Sequence, residues 1–154
     1  MAKNENVDPP GGAGMITFTG ELYAFGDPCK WSKTTPKAPA RTVDELVAAL
    51  TAQASRDASA PIGITVGGHS GKSITLHVPK DAIFSQCDQG KFASWSDSGE
   101  PGPSRYHQGP GQIDELWILD VDGVVTVIDT AYYAATPVEH VEEMRAIVRS
   151  TTFE

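Results

Sequence analysis

Apolar and polar residues alternate over several stretches of the chain, and in two places they change to helical spacing. Ile16, Phe18 and Leu22 alternate with Thr17, Thr19 and Glu21, the period of a strand with one buried face. Val43, Leu46, Val47, Leu50 and Ala54 then fall on one stripe at helical spacing. Thr42-Val-Asp-Glu45 opens that helix as a capping box: the threonine hydroxyl accepts the amide of residue 45, and Glu45 reaches back to the amide of residue 42. The stretch from Ala58 to Pro61 ends it. Two strands follow, Ile62, Ile64 and Val66 in one, Ile74, Leu76 and Val78 in the other, and the connector GGHSGK reads as a hairpin loop. Phe92 to Trp95 makes a further short strand.

Residues 114–133 carry the strongest pair. Asp122-Gly123 between two apolar runs is a hairpin signal. Pairing Val121 with Val124 puts Trp117, Leu119, Thr126 and Ile128 on one face and Leu116, Ile118, Val125 and Val127 on the other. A longer loop, Asp120 to Gly123, shifts the register by two and keeps those faces. Both are apolar, so these strands should be central and covered on both sides. A closing helix presents Val138, Val141, Met144, Ile147 and Val148, with Thr136-Pro-Val-Glu139 as a second capping box. This order is not the βαβ alternation of a parallel sheet. It predicts an α+β domain: an antiparallel sheet of about five to six strands with two helices packed on one face.

Loops and ends bound the domain. Residues 1–14 are nearly devoid of apolar side chains and rich in Gly and Pro, which predicts a flexible tail or linker before a single domain at 15–154. Residues 26–41 hold prolines 28, 36 and 39 and read as a loop. Residues 97–112 hold seven Gly or Pro around Arg105, Tyr106, His107 and Gln108. This second loop is expected to be ordered only in part and to flank the domain's best pocket.

Composition narrows the function. A chain of 154 residues, 40% hydrophobic and 21% charged, is one globular domain. Acids outnumber bases 20 to 12, for a net charge of −8, and such a surface repels phosphate backbones. No nucleic-acid partner is expected. No window of about 20 apolar residues exists to span a membrane. No apolar stretch follows Met1, so the chain is either cytosolic or begins after a removed signal or anchor.

Three motifs invite chemistry. Ile118-Leu-Asp-Val-Asp-Gly-Val124 resembles the nucleophile motif of haloacid-dehalogenase-type phosphatases, in which Asp120 and Asp122 would share magnesium and act on phosphorus. Only about thirty residues follow, with no downstream lysine or second acidic pair, so a tight turn is the plainer reading. Gly67-Gly-His-Ser-Gly-Lys-Ser73 is one residue short of a phosphate-binding loop and runs into a strand instead of a helix. His69, His77, His107 and His140 form no pair with metal-ligand spacing. No cofactor is expected. Cys29 and Cys87 lie in polar, turn-rich segments, which favours a disulfide and an oxidising compartment. The alternative is two reduced thiols in the cytosol.

Gly26-Asp-Pro-Cys-Lys-Trp-Ser32, Cys87-Asp-Gln-Gly90 with Phe92 and Trp95, Arg105-Tyr-His-Gln-Gly-Pro-Gly-Gln-Ile-Asp-Glu-Leu-Trp117 and Ile147-Val-Arg-Ser-Thr-Thr-Phe153 resemble uncharacterised actinobacterial extracytoplasmic domains. Such domains sit behind a signal peptide, lipid anchor or single membrane helix. The ending is also similar to the PsbP-like α+β fold. The resemblance implies a location and no activity. The expected function is a non-catalytic extracytoplasmic module that binds a protein partner or small ligand, with Trp31, Trp95, Arg105, Tyr106, His107 and Trp117 as candidate site residues. Trp95 and Trp117 have core packing as their alternative role. The alternative function is a metal-dependent enzyme using Asp120 and Asp122.

Overall fold

The computed structural model describes residues 11–100 and 102–154. The two long apolar runs form strands β7 (Ile113–Val121) and β8 (Val124–Tyr132) at the centre of a five-stranded antiparallel sheet. On one side β8 pairs with β1 (Gly14–Thr19). On the other, β7 pairs with β4 (His69–His77), which pairs with β3 (Ile62–Val66). A three-stranded sheet joins β2 (Tyr23–Ala24), β5 (Ala93–Ser96) and β6 (Arg105–Tyr106), in the order β2-β5-β6. With helices α1 (Val43–Thr51) and α2 (Val138–Arg149), the class is α+β, as the hydropathy pattern predicts.

The hairpin turn is the tight one. Val121 pairs with Val124, and Asp122 and Gly123 both take left-handed backbone, with φ of 53° and 85°. That is the geometry whose twist matches the strands it joins. The Asp120 carboxylate accepts the Gly123 amide at 2.7 Å. In GGHSGK only Gly67-Gly68 turns, and β4 begins at His69. A Cβ on Gly71 would stand 1.9 Å from the Ile118 carbonyl oxygen. The glycine therefore lets β4 close on β7, and the segment continues as a strand.

Each face of the central hairpin has its own cover. Leu46, Val47 and Leu50 of α1 pack on the face of Leu116, Ile118, Val125 and Val127. Val148 of α2 packs with Leu119 and Ile128 on the opposite face. The two helices thus do not share a face as expected. A hairpin apolar on both sides needs a layer on each. The three-stranded sheet lies on the α1 side, where Trp95 meets Phe18 edge to face at 5.1 Å.

Local signals account for the ends. Thr42 caps α1 by accepting the Glu45 amide at 3.1 Å, while Glu45 takes the amide of Arg41 instead of Thr42. Thr136 does not cap α2. Its buried hydroxyl accepts the Tyr133 amide and donates to the Gly12 carbonyl. That bond, with Ala13 fully buried, makes 11–14 part of the domain, while residues 1–10 of the expected tail lie outside the described residues. Cys29 and Cys87 are joined by a disulfide. It ties the 26–41 loop to the turn at Asp88, whose carboxylate accepts the amide and hydroxyl of Ser32.

Candidate functional site

Asp114 and Asp129 sit on β7 and β8 at positions that share a face with Leu116 and Val127, so both carboxylates point into the core. Two arginines meet them. Arg105 donates from Nε to Asp129 at 2.5 Å, from Nη2 to Asp114 at 2.8 Å and from Nη1 to the Tyr106 carbonyl at 2.6 Å. Arg56 donates from Nε to the His77 carbonyl and from Nη1 to Gln53 and Ser94. Its Nη2 stands 3.6 Å from Asp114. Two cations against two acids make the cluster formally neutral, the condition for keeping charges out of water.

His107 completes the cluster. Its Nε2 is 2.7 Å from the Ser94 hydroxyl, and its Nδ1 is 3.1 Å from Asp114 Oδ2. Serine, histidine and aspartate thus stand in the order of a hydrolytic relay. Three features set it apart from such a relay. Ser94 is 1% exposed, so its oxygen is buried among the described residues. The Arg56 guanidinium donates directly to that oxygen at 2.8 Å. Gln112 Nε2 lies 3.0 Å from the same Nδ1 and competes with Asp114 for it.

The electrostatics follow from burial. Burial pushes the His107 pKa down to about 4, Asp114 opposing and Arg105 assisting, so the ring is neutral near pH 7. Burial pushes the Asp129 carboxyl up to about 7 against the pull of Arg105. Burial would also raise Asp114, but His107, Arg105 and Arg56 outweigh it and hold that carboxyl below the usual range. Arg56 falls to about 10, chiefly through desolvation.

Beside the cluster lies an open cleft of about 550 Å³ at the same end of the sheet. The inward turn of Arg56 builds part of its wall. Ser55 and Asp57, on either side, take left-handed backbone with φ of 66° and 44°. Such conformations are costly for residues other than glycine and persist only where the surroundings enforce them. Here the bonds of Arg56 do so. Val78, Pro79, Ile113 and Ala134 supply apolar lining, and Ser55, Asp57, His77, Lys80 and Asp81 supply polar groups. Among the described residues, none forms an ion pair with Asp57, Lys80 or Asp81. His77 Nδ1 lies 3.1 Å from the Asp57 carbonyl. A carbonyl only accepts, so Nδ1 carries the hydrogen, and in the neutral ring Nε2 is left as an acceptor.

The six expected site residues do not form one surface. Trp31 is buried and donates to the carbonyls of Asp88 and Lys91, locking the disulfide loop. Trp95 is core. Arg105 and His107 belong to the buried cluster, and Trp117 packs partly buried against the α2 side. Tyr106 alone among them is exposed, at 46%, with Lys91 over its ring. The 97–112 loop, of which Pro101 lies outside the described residues, forms β6 and sends Gly111 to the cleft. Asp120 and Asp122 are turn residues, and no three His, Cys, Asp or Glu among the described residues gather to hold a metal ion. No described helix is long and apolar enough to cross a membrane. No protein-family model, curated protein or solved structure matches the chain.

Proposed function

We propose that the protein is a non-catalytic extracytoplasmic module that recognises a small ligand or protein partner. The observation that carries this reading is the contrast at one end of the sheet. The residues arranged for chemistry are sealed and already bonded to one another, whereas the accessible cleft offers unpaired charges and apolar lining but no activated nucleophile. The Cys29–Cys87 disulfide supports a location in an oxidising compartment. Binding without turnover is the test. A compound that raises the melting temperature should be recovered unchanged, by mass spectrometry, after prolonged incubation with stoichiometric protein. Recovery of a product would make the protein an enzyme and end this reading. A reporter fusion that is active only outside the cytoplasm checks the location.

A further inference from the structure

We propose that the cleft between the Arg56 turn and the Pro79–Asp81 segment binds a short zwitterionic peptide with apolar side chains. The proposal rests on the recognition reading above and deepens it. Opposite charges share this cleft without pairing: Asp57 and Asp81 on one hand, Lys80 on the other. A ligand of one sign would leave the other group unanswered beside it. A ligand with an ammonium at one end and a carboxylate at the other answers both. His77 Nε2 adds an acceptor suited to a peptide N–H, since its Nδ1 hydrogen is already given to the Asp57 carbonyl.

The apolar lining comes from three chain segments, through Val78 and Pro79, Ile113, and Ala134. Apolar side chains on the ligand would lie against it. The volume, about 550 Å³, lies within the range of roughly 300–1,000 Å³ usual for small-ligand sites. The wall is also pre-formed. Arg56 is buried and bonded to His77, Gln53 and Ser94, so Ser55 and Asp57 are held in place before a ligand arrives. Little ordering is then left to oppose binding.

Calorimetric titration of the full chain with leucyl-leucine tests this. Saturable one-to-one binding is expected. N-acetyl-leucyl-leucine and leucyl-leucine amide, each lacking one charge, should bind at least tenfold more weakly. Lys80→Met and Asp57→Asn should weaken leucyl-leucine to a similar degree. Both residues are exposed and asparagine tolerates left-handed backbone, so melting temperatures should hold. Equal affinity for the blocked and free peptides would overturn the zwitterion assignment, as would no binding at millimolar concentration. Either result leaves the recognition reading standing on other ligands. Cleavage of the dipeptide would instead sink both.

Discussion

One face of the five-stranded sheet is filled in two different ways. Towards the β7–β8 turn, Ile118, Val125 and Val127 meet Leu46, Val47 and Leu50 of α1, carbon against carbon. At the other end of the same strands, Asp114 and Asp129 meet Arg105, Arg56 and His107. The apolar half tolerates imprecision, because the hydrophobic effect has no direction. The ionic half does not, because each charge is worth burying only while its partner stays in place. The apolar half therefore supplies driving force, and the ionic half sets where the three-stranded sheet docks, since β6 brings Arg105 and β5 brings Ser94.

Breaking the ionic half should cost most. Arg105→Ala leaves Asp129 and much of Asp114 buried without their main partner and should destabilise the fold by about 3–5 kcal/mol in urea unfolding. Leu50→Ala in the apolar half should cost about 2–5 kcal/mol, depending on how far the cavity collapses. If Arg105→Ala proved neutral, the cluster would be a passenger of the fold. The disulfide sharpens the comparison at the cluster's outer edge. Closing a loop with a sequence separation of 58 residues restricts the unfolded chain, so Cys29→Ser with Cys87→Ser should lose about 4 kcal/mol. Intact mass before and after alkylation should find no free thiol in the unreduced protein.

The two halves also differ in how far the chain announces them. The apolar half was legible because period-2 alternation and Asp122-Gly123 set both the faces and the register. The ionic half left a fainter trace. Asp114 and Asp129 share parity with Leu116 and Val127, so an acid at each of those positions had to find a buried cation. Arg56 and Arg105 were the cations, but one sits in a turn and the other in a loop dense with Gly and Pro. Nothing local says that either turns inward. Helix placement was ambiguous for a related reason: a hairpin apolar on both sides accepts a helix on either. The cleft was least legible, because its wall comes from the left-handed backbone at Ser55 and Asp57. Those conformations follow from the tertiary bonds of Arg56 and not from local propensity.

Acid should reveal two opposing contributions inside the ionic half. His107 is held near 4 against an ordinary 6.5, so it favours the fold above pH 6.5 and loses that contribution as pH falls towards 4. Asp129 is raised from 3.8 to about 7, so its contribution is full below about pH 4 and is lost as pH rises through 7. Over the same window the two oppose, and the wild-type stability should change little on their account. Removing either exposes the other. His107→Gln should make the protein gain stability between pH 7 and pH 4, and Asp129→Asn should make it lose stability. Parallel profiles for the two variants in denaturant titrations would show that the cluster is not the source.

Tyr106 should have the smallest effect, and it separates the two sides of one short strand. Arg105 and Tyr106 are neighbours on β6, and alternation sends them to opposite faces. Arg105 turns to the carboxylates, whereas Tyr106 stands 46% exposed under Lys91, 4.9 Å from its ring centroid. An exposed cation–π contact contributes roughly 0.5–1 kcal/mol, and the buried half of the residue adds apolar contact to it. Tyr106→Ala should therefore cost about 1–2 kcal/mol, less than Arg105→Ala one position away. The ratio matters more than either value. A large loss at Tyr106 would mean that its ring closes the outer side of the small sheet and helps hold Arg105 in place, so that the docking role could not be given to the charges alone.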